Sequence, residues 1–296
     1  MTKVLVLGAT GQTGRKVTEY LQARSAVDVL AASRRPHGSG GRAFDWSAPE
    51  TWKAALQDVE CVYLVKPNAY GAVKDVEATV ASFLDDAKSV RRIVLLSEIA
   101  AETRNENLDE RRVERLIENS RFEWTILRPH WFMQNFSAPD YFLPKLRDGG
   151  EVRVPTKGWP TAFVDTRDIA DVAATVLLEA GHAGRSYTLT GPLAHTWHDA
   201  IQAIAKAAGQ EMSYVDVDIE DHLSSPAYSG LPSHVMQHHR AVYEFLCSKK
   251  SADVSGAIES VLGRASRSLD LFVQESAPLW RREIGQSNFS MRPSDR

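Results

Sequence analysis

Two rhythms of apolar residues alternate along the first half of this chain. Short β-branched and leucine runs at residues 4–7, 27–32, 42–46, 61–65, 92–96 and 122–127 predict six strands. Between them, apolar positions recur at helical spacing. Val17, Tyr20 and Leu21 mark a helix over 13–23, and a short helix follows strand three over 49–56. Val76, Val80, Phe83, Leu84 and Ala87 mark the next helix, and residues 106–119 another. Strands alternating with helices of this length predict an α/β fold: a doubly wound parallel sheet covered on both faces. Right-handed crossovers collect the strands' C-terminal ends on one rim, where such folds bind ligands.

The second half does not repeat the first. Asp165 and Thr166 can cap a helix carrying Ile169, Val172, Ala173 and Val176, stopped by Gly181. Residues 185–190 alternate like a strand. Thr196 and Asp199 form a capping box ahead of a helix that ends at Gly209. A short strand is expected at 214–217 and helices over 218–280. No low-complexity linker separates the halves. The expected organisation is a Rossmann domain over 1–155, its sheet completed by part of 160–195. A smaller α/β substrate-binding region over 156–281 grows onto the rim, and 282–296 form a loose polar tail.

Candidate chemistry sits where strand one meets its helix. Gly8, Gly11 and Gly14 allow a tight turn and close approach of a pyrophosphate, and the helix start offers free N–H groups. Thr10, Gln12 and Thr13 add hydroxyl, amide and backbone donors. An NAD enzyme places an acid at the end of strand two to hold the ribose hydroxyls. Here Ser33, Arg34 and Arg35 stand there without an acid nearby, which fits a 2′-phosphate and predicts NADP(H) over NAD(H). A solvated basic turn is the other reading. Val65, Lys66 and Pro67 close strand four and should pass along the nicotinamide ribose, although Lys66 reads equally well as surface charge.

Charge and composition narrow the classes. With 35 Lys+Arg against 38 Asp+Glu the net charge is −3, giving no electrostatic reason to expect nucleic acid or an anionic membrane as partner. Cys61 and Cys247 lie far apart without a metal-binding neighbourhood, so neither a disulfide framework nor a metal site is expected. No secretory segment or long apolar run is visible. A cytoplasmic monomer or homodimer acting on a small molecule is the expectation.

Several stretches resemble the NmrA-like branch of the atypical short-chain dehydrogenases/reductases. They are the G-x-x-G-x-x-G turn at 8–14, Thr125 to Phe136, Phe163 to Ala173, and Gly230-Leu231-Pro232 ahead of a long helix. Phe44-Asp45-Trp46 and Val62 to Val65 are most similar to the ergot-alkaloid reductases of that branch, which also includes quinone oxidoreductases and dye reductases. The resemblance implies that Asp45 contacts adenine, although it reads equally as a turn cap, and that Ser97 and Pro129 border the cofactor. The positions matching the family's usual Tyr–Lys pair hold Glu106 and Glu110. His130, Trp131, Phe132 and Asn135, with Phe136, should line a flat apolar cavity, closed by Trp159 and Phe163; core packing is the competing reading. His130 and Ser97 are the candidates for catalysis. Arg167 and Asp168 read as an internal ion pair, and His238-His239 as helix surface. The implied activity is hydride transfer from NADPH to a quinone, imine, iminium or enone. A cofactor-sensing regulator without turnover is the alternative.

Overall fold

The computed structural model describes residues 1–67 and 73–281, so the tail expected at 282–296 lies outside the described residues. Its strands, in chain order, are β1 (Thr2–Val6), β2 (Val27–Ser33), β3 (Gly41–Ala43), β4 (Cys61–Val65), β5 (Arg92–Leu96), β6 (Glu123–Pro129), β7 (Glu151–Arg153), β8 (Arg185–Leu189) and β9 (Ser213–Val215). The helices of the first half are α1 (Gln12–Gln22), α2 (Trp52–Ala55), α3 (Val76–Asp86) and α4 (Asp109–Glu118). Those of the second half are α5 (Leu143–Arg147), α6 (Thr166–Leu178), α7 (Trp197–Ala208), α8 (Ile219–Leu223), α9 (Ser233–Leu246), α10 (Ala257–Leu262) and α11 (Leu269–Trp280).

Seven strands form one parallel sheet in the order β3-β2-β1-β4-β5-β6-β8. The order reverses between β1 and β4, which places the topological switch point at the glycine turn. Successive residues of each strand point to opposite faces. Leu5, Leu7, Val62, Leu64, Ile93 and Leu95 pack under α2, α3 and α4 through Trp52, Val80, Phe83, Val113 and Ile117. Val4, Val6, Tyr63, Val94 and Leu127 face the other way, onto α1 and α6 through Val17, Leu21, Ile169, Ala173 and Val176. Burial on both faces is why these strands read as unbroken apolar runs. Arg92 ties the layers together, since its guanidinium reaches Glu123 and the carbonyls of Val176, Leu177 and Glu179 at the end of α6.

A third core, centred on Trp197, lies beyond the rim and joins α5, α7, α11 and β7. The two-stranded β7–β9 ribbon beside it is parallel. Its first strand was not legible, being three residues with one apolar position. β3 stops at Ala43 rather than at 46 because Phe44 turns into the core, edge-on to Trp46 and Phe83. Trp46 then donates to the Val65 carbonyl at 3.2 Å. α4 starts three residues late because the Asn105 side chain accepts from the Asn107 N–H and holds a turn there. Among the described residues, no helix is long and apolar enough to cross a membrane.

Arg167 and Asp168 do not pair with each other. Arg167 grips Asp165 at 2.7 Å and Glu275 at 2.6 Å, while the wholly buried Asp168 holds Arg264 and Arg267. Adjacent residues on a helix point about 100° apart, so each found its own partner. Removing the Asp168 carboxylate should cost about 3 kcal/mol of stability in urea unfolding, because two cations lose their buried counter-ion. A loss of Asp168→Ala stability under about 1 kcal/mol would mean that solvent satisfies both arginines instead.

Candidate active site

The C-terminal ends of β1, β2, β4, β5 and β6 open into one cleft of about 1220 Å³. Its floor is the turn after β1. Gly8 adopts φ +65°, a state that residues with a side chain rarely reach. The Gly8 carbonyl accepts from the Gly11 N–H at 2.9 Å, and a Cβ on Gly14 would overlap that same carbonyl. Gly14 is buried and does not line the cleft; it serves this close approach rather than contacting a ligand.

α1 begins after Gly11 with neither a side-chain cap nor an acid in its first turn. By contrast α3, α6 and α7 are capped by Asp75, Asp165 and Thr196. The opening N–H groups of α1 and its positive dipole end are thus left for an anion in the cleft, beside Thr10, Gln12 and Thr13. Gln12 donates to Asn135 Oδ1 at 3.3 Å, and its own Oε1 is buried without a hydrogen-bond partner.

Ser33, Arg34, Asp45, Val65, Lys66, Pro67, Ser97 and Pro129 line the same cleft. Arg35 is exposed and off its wall, since consecutive residues leaving a strand diverge. Asp45 Oδ1 accepts from the Ser47 hydroxyl at 2.7 Å and from the Ser47 N–H at 2.9 Å. Those bonds, with a smaller contribution from Arg34, hold its carboxyl below the usual carboxylate range. Asp45 therefore caps its own turn while still bordering the cleft.

Further along, the wall becomes aromatic. Trp131, Phe132 and Asn135 follow β6, joined by Tyr141 and Phe142 just before α5, and Tyr228 and Tyr243 meet them from the C-terminal half. Trp131 stands edge-on to Trp197 at 5.3 Å, and its indole N–H is buried without a hydrogen-bond partner. Three residues expected on this wall lie elsewhere. Phe136 and Phe163 are wholly buried in the core around Trp197, 5.3 Å from each other and 5.5 Å and 5.4 Å from Trp197. Trp159 is 38% exposed on a turn that its N–H closes onto the Thr156 carbonyl.

His130 reaches the cleft, but both of its ring nitrogens are spent. Nδ1 accepts from the Trp131 N–H at 2.6 Å, so the proton sits on Nε2 and points to the Ser251 carbonyl at 3.0 Å. Burial pushes its pKa down to about 4. It is neutral near pH 7 and cannot be the acid that sequence reasoning made it. Ser97 donates to Glu114 Oε1 at 2.6 Å, and Glu114 is locked in a buried two-bond pair with Arg128 at 2.8 Å each. Ser97 can therefore accept a hydrogen bond in the cleft, while its own proton is committed.

His238 and His239, expected on a solvated helix face, line the cleft instead. His238 Nδ1 lies 3.3 Å from Glu110 Oε2 and 3.5 Å from Glu98 Oε1. Lys66 reaches the other oxygen of Glu110 at 2.7 Å, and Arg104 pairs with Glu98. Lys66 is thus no surface charge. Burial pushes the Glu110 carboxyl up, but His238 and Lys66 together hold it well below the usual range. Glu106 points to solvent and pairs with Arg115 at 2.7 Å. Five separate segments meet here, and no local spacing announces such a meeting.

A family model described as NAD(P)H-binding matches residues 8–180, from the first glycine of the turn to just past α6. The chain belongs to this NAD(P)H-binding family. Its relatives include an NAD(P)H azoreductase of Xenophilus azovorans, 28% identical over 286 residues that span 93% of this chain and 98% of that protein. A (4-alkanoyl-5-oxo-2,5-dihydrofuran-3-yl)methyl phosphate reductase of Streptomyces griseus is 32% identical over 231 residues, 73% of this chain and 78% of that one. Among solved structures, the NADPH-dependent quinone oxidoreductase QOR2 of Escherichia coli, complexed with NADPH, superposes with TM-score 0.75 at 25% identity, covering 93% of this chain and 99% of that one. The uncapped α1, the Gly8–Gly14 approach and the orphan Gln12 acceptor all fit a family dinucleotide.

The state of His130 in this NAD(P)H-binding protein has a measurable consequence. Folded, it stays neutral down to about 4; unfolded, it titrates near its ordinary 6.5. Between those values only the unfolded chain carries the extra proton, so stability rises with pH through the window and is lost as pH falls. In urea unfolding, going from pH 7 to pH 5 should cost wild type about 2 kcal/mol more than it costs His130→Asn. Equal losses would contradict a buried neutral imidazole.

Proposed function

We propose that this protein is an NADPH-dependent reductase of a conjugated, planar small molecule: a quinone, an imine or iminium ion, or an enone. The observation that carries this reading is the continuity of one cleft, which runs from the glycine turn and Arg34 to the aromatic wall at Trp131, Tyr228 and Tyr243. Its volume of about 1220 Å³ exceeds the roughly 300–1,000 Å³ typical of a single ligand site. A dinucleotide and a flat second molecule can share it. The azo, quinone and dihydrofuranone acceptors named for the relatives are each conjugated, which supports the same class.

When bound, NADPH supplies the hydride. The chain's own residues hold, orient and exclude water. The start of α1, with Thr10, Gln12 and Thr13, takes the diphosphate. Arg34 takes the 2′-phosphate, while Asp45, engaged with Ser47, borders the adenine end. Val65, Pro67 and Pro129 flank the nicotinamide ribose. Trp131 and Phe132 give the acceptor a flat dry wall, with the Ser97 oxygen as its polar point. No Tyr–Lys pair is assigned, because Glu106 and Glu110 occupy those positions. Conjugated acceptors suit such a site: an iminium ion becomes neutral on taking hydride, and a quinone spreads its charge over two oxygens.

NADPH should be consumed with a panel of quinones and iminium compounds, and in preference to NADH. Arg34→Ala should weaken NADPH binding roughly ten- to hundredfold while moving NADH less than about threefold, since only the former carries the phosphate. Fluorescence titration of both dinucleotides checks this. Equal wild-type affinities would remove the role of Arg34, and NADPH bound but never consumed would favour the sensor.

A further inference from the structure

Within the charge cluster, His238, Lys66, Glu98 and Arg104 reach the cleft wall, whereas Glu110 stays buried behind them. His238 Nδ1 lies within ion-pair distance of two carboxylates, Glu110 at 3.3 Å and Glu98 at 3.5 Å, in hydrogen-bond geometry with neither. Two carboxylates on one side of an imidazole attract that edge of the ring. The opposite nitrogen is then the one that exchanges a proton with a ligand. We propose that His238 is the proton donor of this reductase, with Glu110 as its positioning residue, in place of a Tyr–Lys pair; this rests on the reductase reading above.

The neighbouring groups are less suited to the task. Lys66 spends its charge on Glu110 at 2.7 Å. Arg104 carries a guanidinium, which does not release protons in proteins. His130 is closed off by Trp131 and Ser251. His239, next along α9, is pushed down to about 4 by burial and by the charges of His238 and His222. The groups facing His238 are therefore Lys66 after β4, Glu98 after β5, Arg104 beyond it, Glu110 on α4 and His239 on its own helix. The two carboxylates stand nearest its Nδ1.

The step balances without a further reagent. Hydride and its electron pair come from the dihydronicotinamide, which leaves oxidised. A quinone that accepts them becomes a hydroquinone monoanion, and the Nε2 proton of the His238 imidazolium passes to that oxyanion. Solvent water then reprotonates the imidazole. An acceptor that is cationic at the start needs no such proton.

The test therefore compares two acceptors in the NADPH-loaded enzyme: a naphthoquinone, and a cationic triphenylmethane dye whose carbocation becomes neutral on taking hydride. His238→Gln should slow quinone turnover roughly 10²-fold more than dye turnover, with the KM for NADPH unchanged. Glu110→Gln should slow quinone turnover more than dye turnover, again with the KM for NADPH unchanged, because His238 loses the carboxylate that holds its Nδ1 edge. His238→Asn stands in should the glutamine variant fold poorly. A readout without turnover is the colour of p-nitrophenol bound to the NADP⁺-loaded protein, with more of the phenolate form on wild type than on the variant. Slowing of both acceptors equally, or of neither, with unchanged nitrophenol colour overturns the assignment and leaves the reductase reading standing. Wild type that reduces neither acceptor removes the reductase reading, and the nitrophenol colour still decides whether His238 donates.

Discussion

Everything at the cofactor end depends on how closely α1 approaches the end of β1. The approach is possible because Gly14 has no Cβ where the Gly8 carbonyl lies, and because Gly8 itself tolerates φ +65°. With any side chain at Gly14 the helix would have to move away from the strand. Its unpaired N–H groups would then no longer meet the switch point of the sheet. The approach is held from the other side by apolar packing: Val17 and Leu21 of α1 share a core with Ile169, Ala173 and Val176 of α6. A local turn rule and a long-range packing contact thus enforce the same geometry, which is the consistency expected of a well-specified fold.

The rim above that turn is built differently, from buried charge. Glu114 with Arg128, Glu110 with Lys66, and Asp168 with Arg264 and Arg267 each take a carboxylate out of water and return a cation to it. Such pairs add little net stability when complete and cost several kcal/mol when broken, so they favour one arrangement over others. The first two lie directly behind residues that line the cleft. Glu114 consumes the proton of Ser97, and Glu110 brings Lys66 and His238 together. The electrostatics of the site therefore follow from the charges that hold the rim together.

Much of the fold was legible because parallel strands buried on two faces leave a plain trace, as at 61–65 and 92–96. The glycine turn was legible for the same reason, since its geometry is local. What was not legible depended on which face of the second half met the rim. Aromatic residues at 131, 159 and 163 look alike in sequence, yet Trp131 lines the cleft, Phe163 fills the core around Trp197, and Trp159 faces solvent. His130 and His238 carry the same side chain, and tertiary contacts alone separate them. The Ser251 carbonyl and the Trp131 N–H close the first, and two carboxylates lie within ion-pair distance of the second. Arg34 and Arg35 are adjacent, and the direction in which the chain leaves β2 puts only the former on the wall.

The claim on which the rest stands is that the Gly8–Gly14 approach builds the dinucleotide site. Calorimetric titration of NADPH into wild type and Gly14→Ala tests it most directly, with circular dichroism and urea unfolding run on both. One added methyl, overlapping the Gly8 carbonyl, should leave a folded protein whose NADPH affinity falls about a hundredfold or more, a loss of ~3 kcal/mol. A folded Gly14→Ala protein that binds NADPH as tightly as wild type would contradict the account.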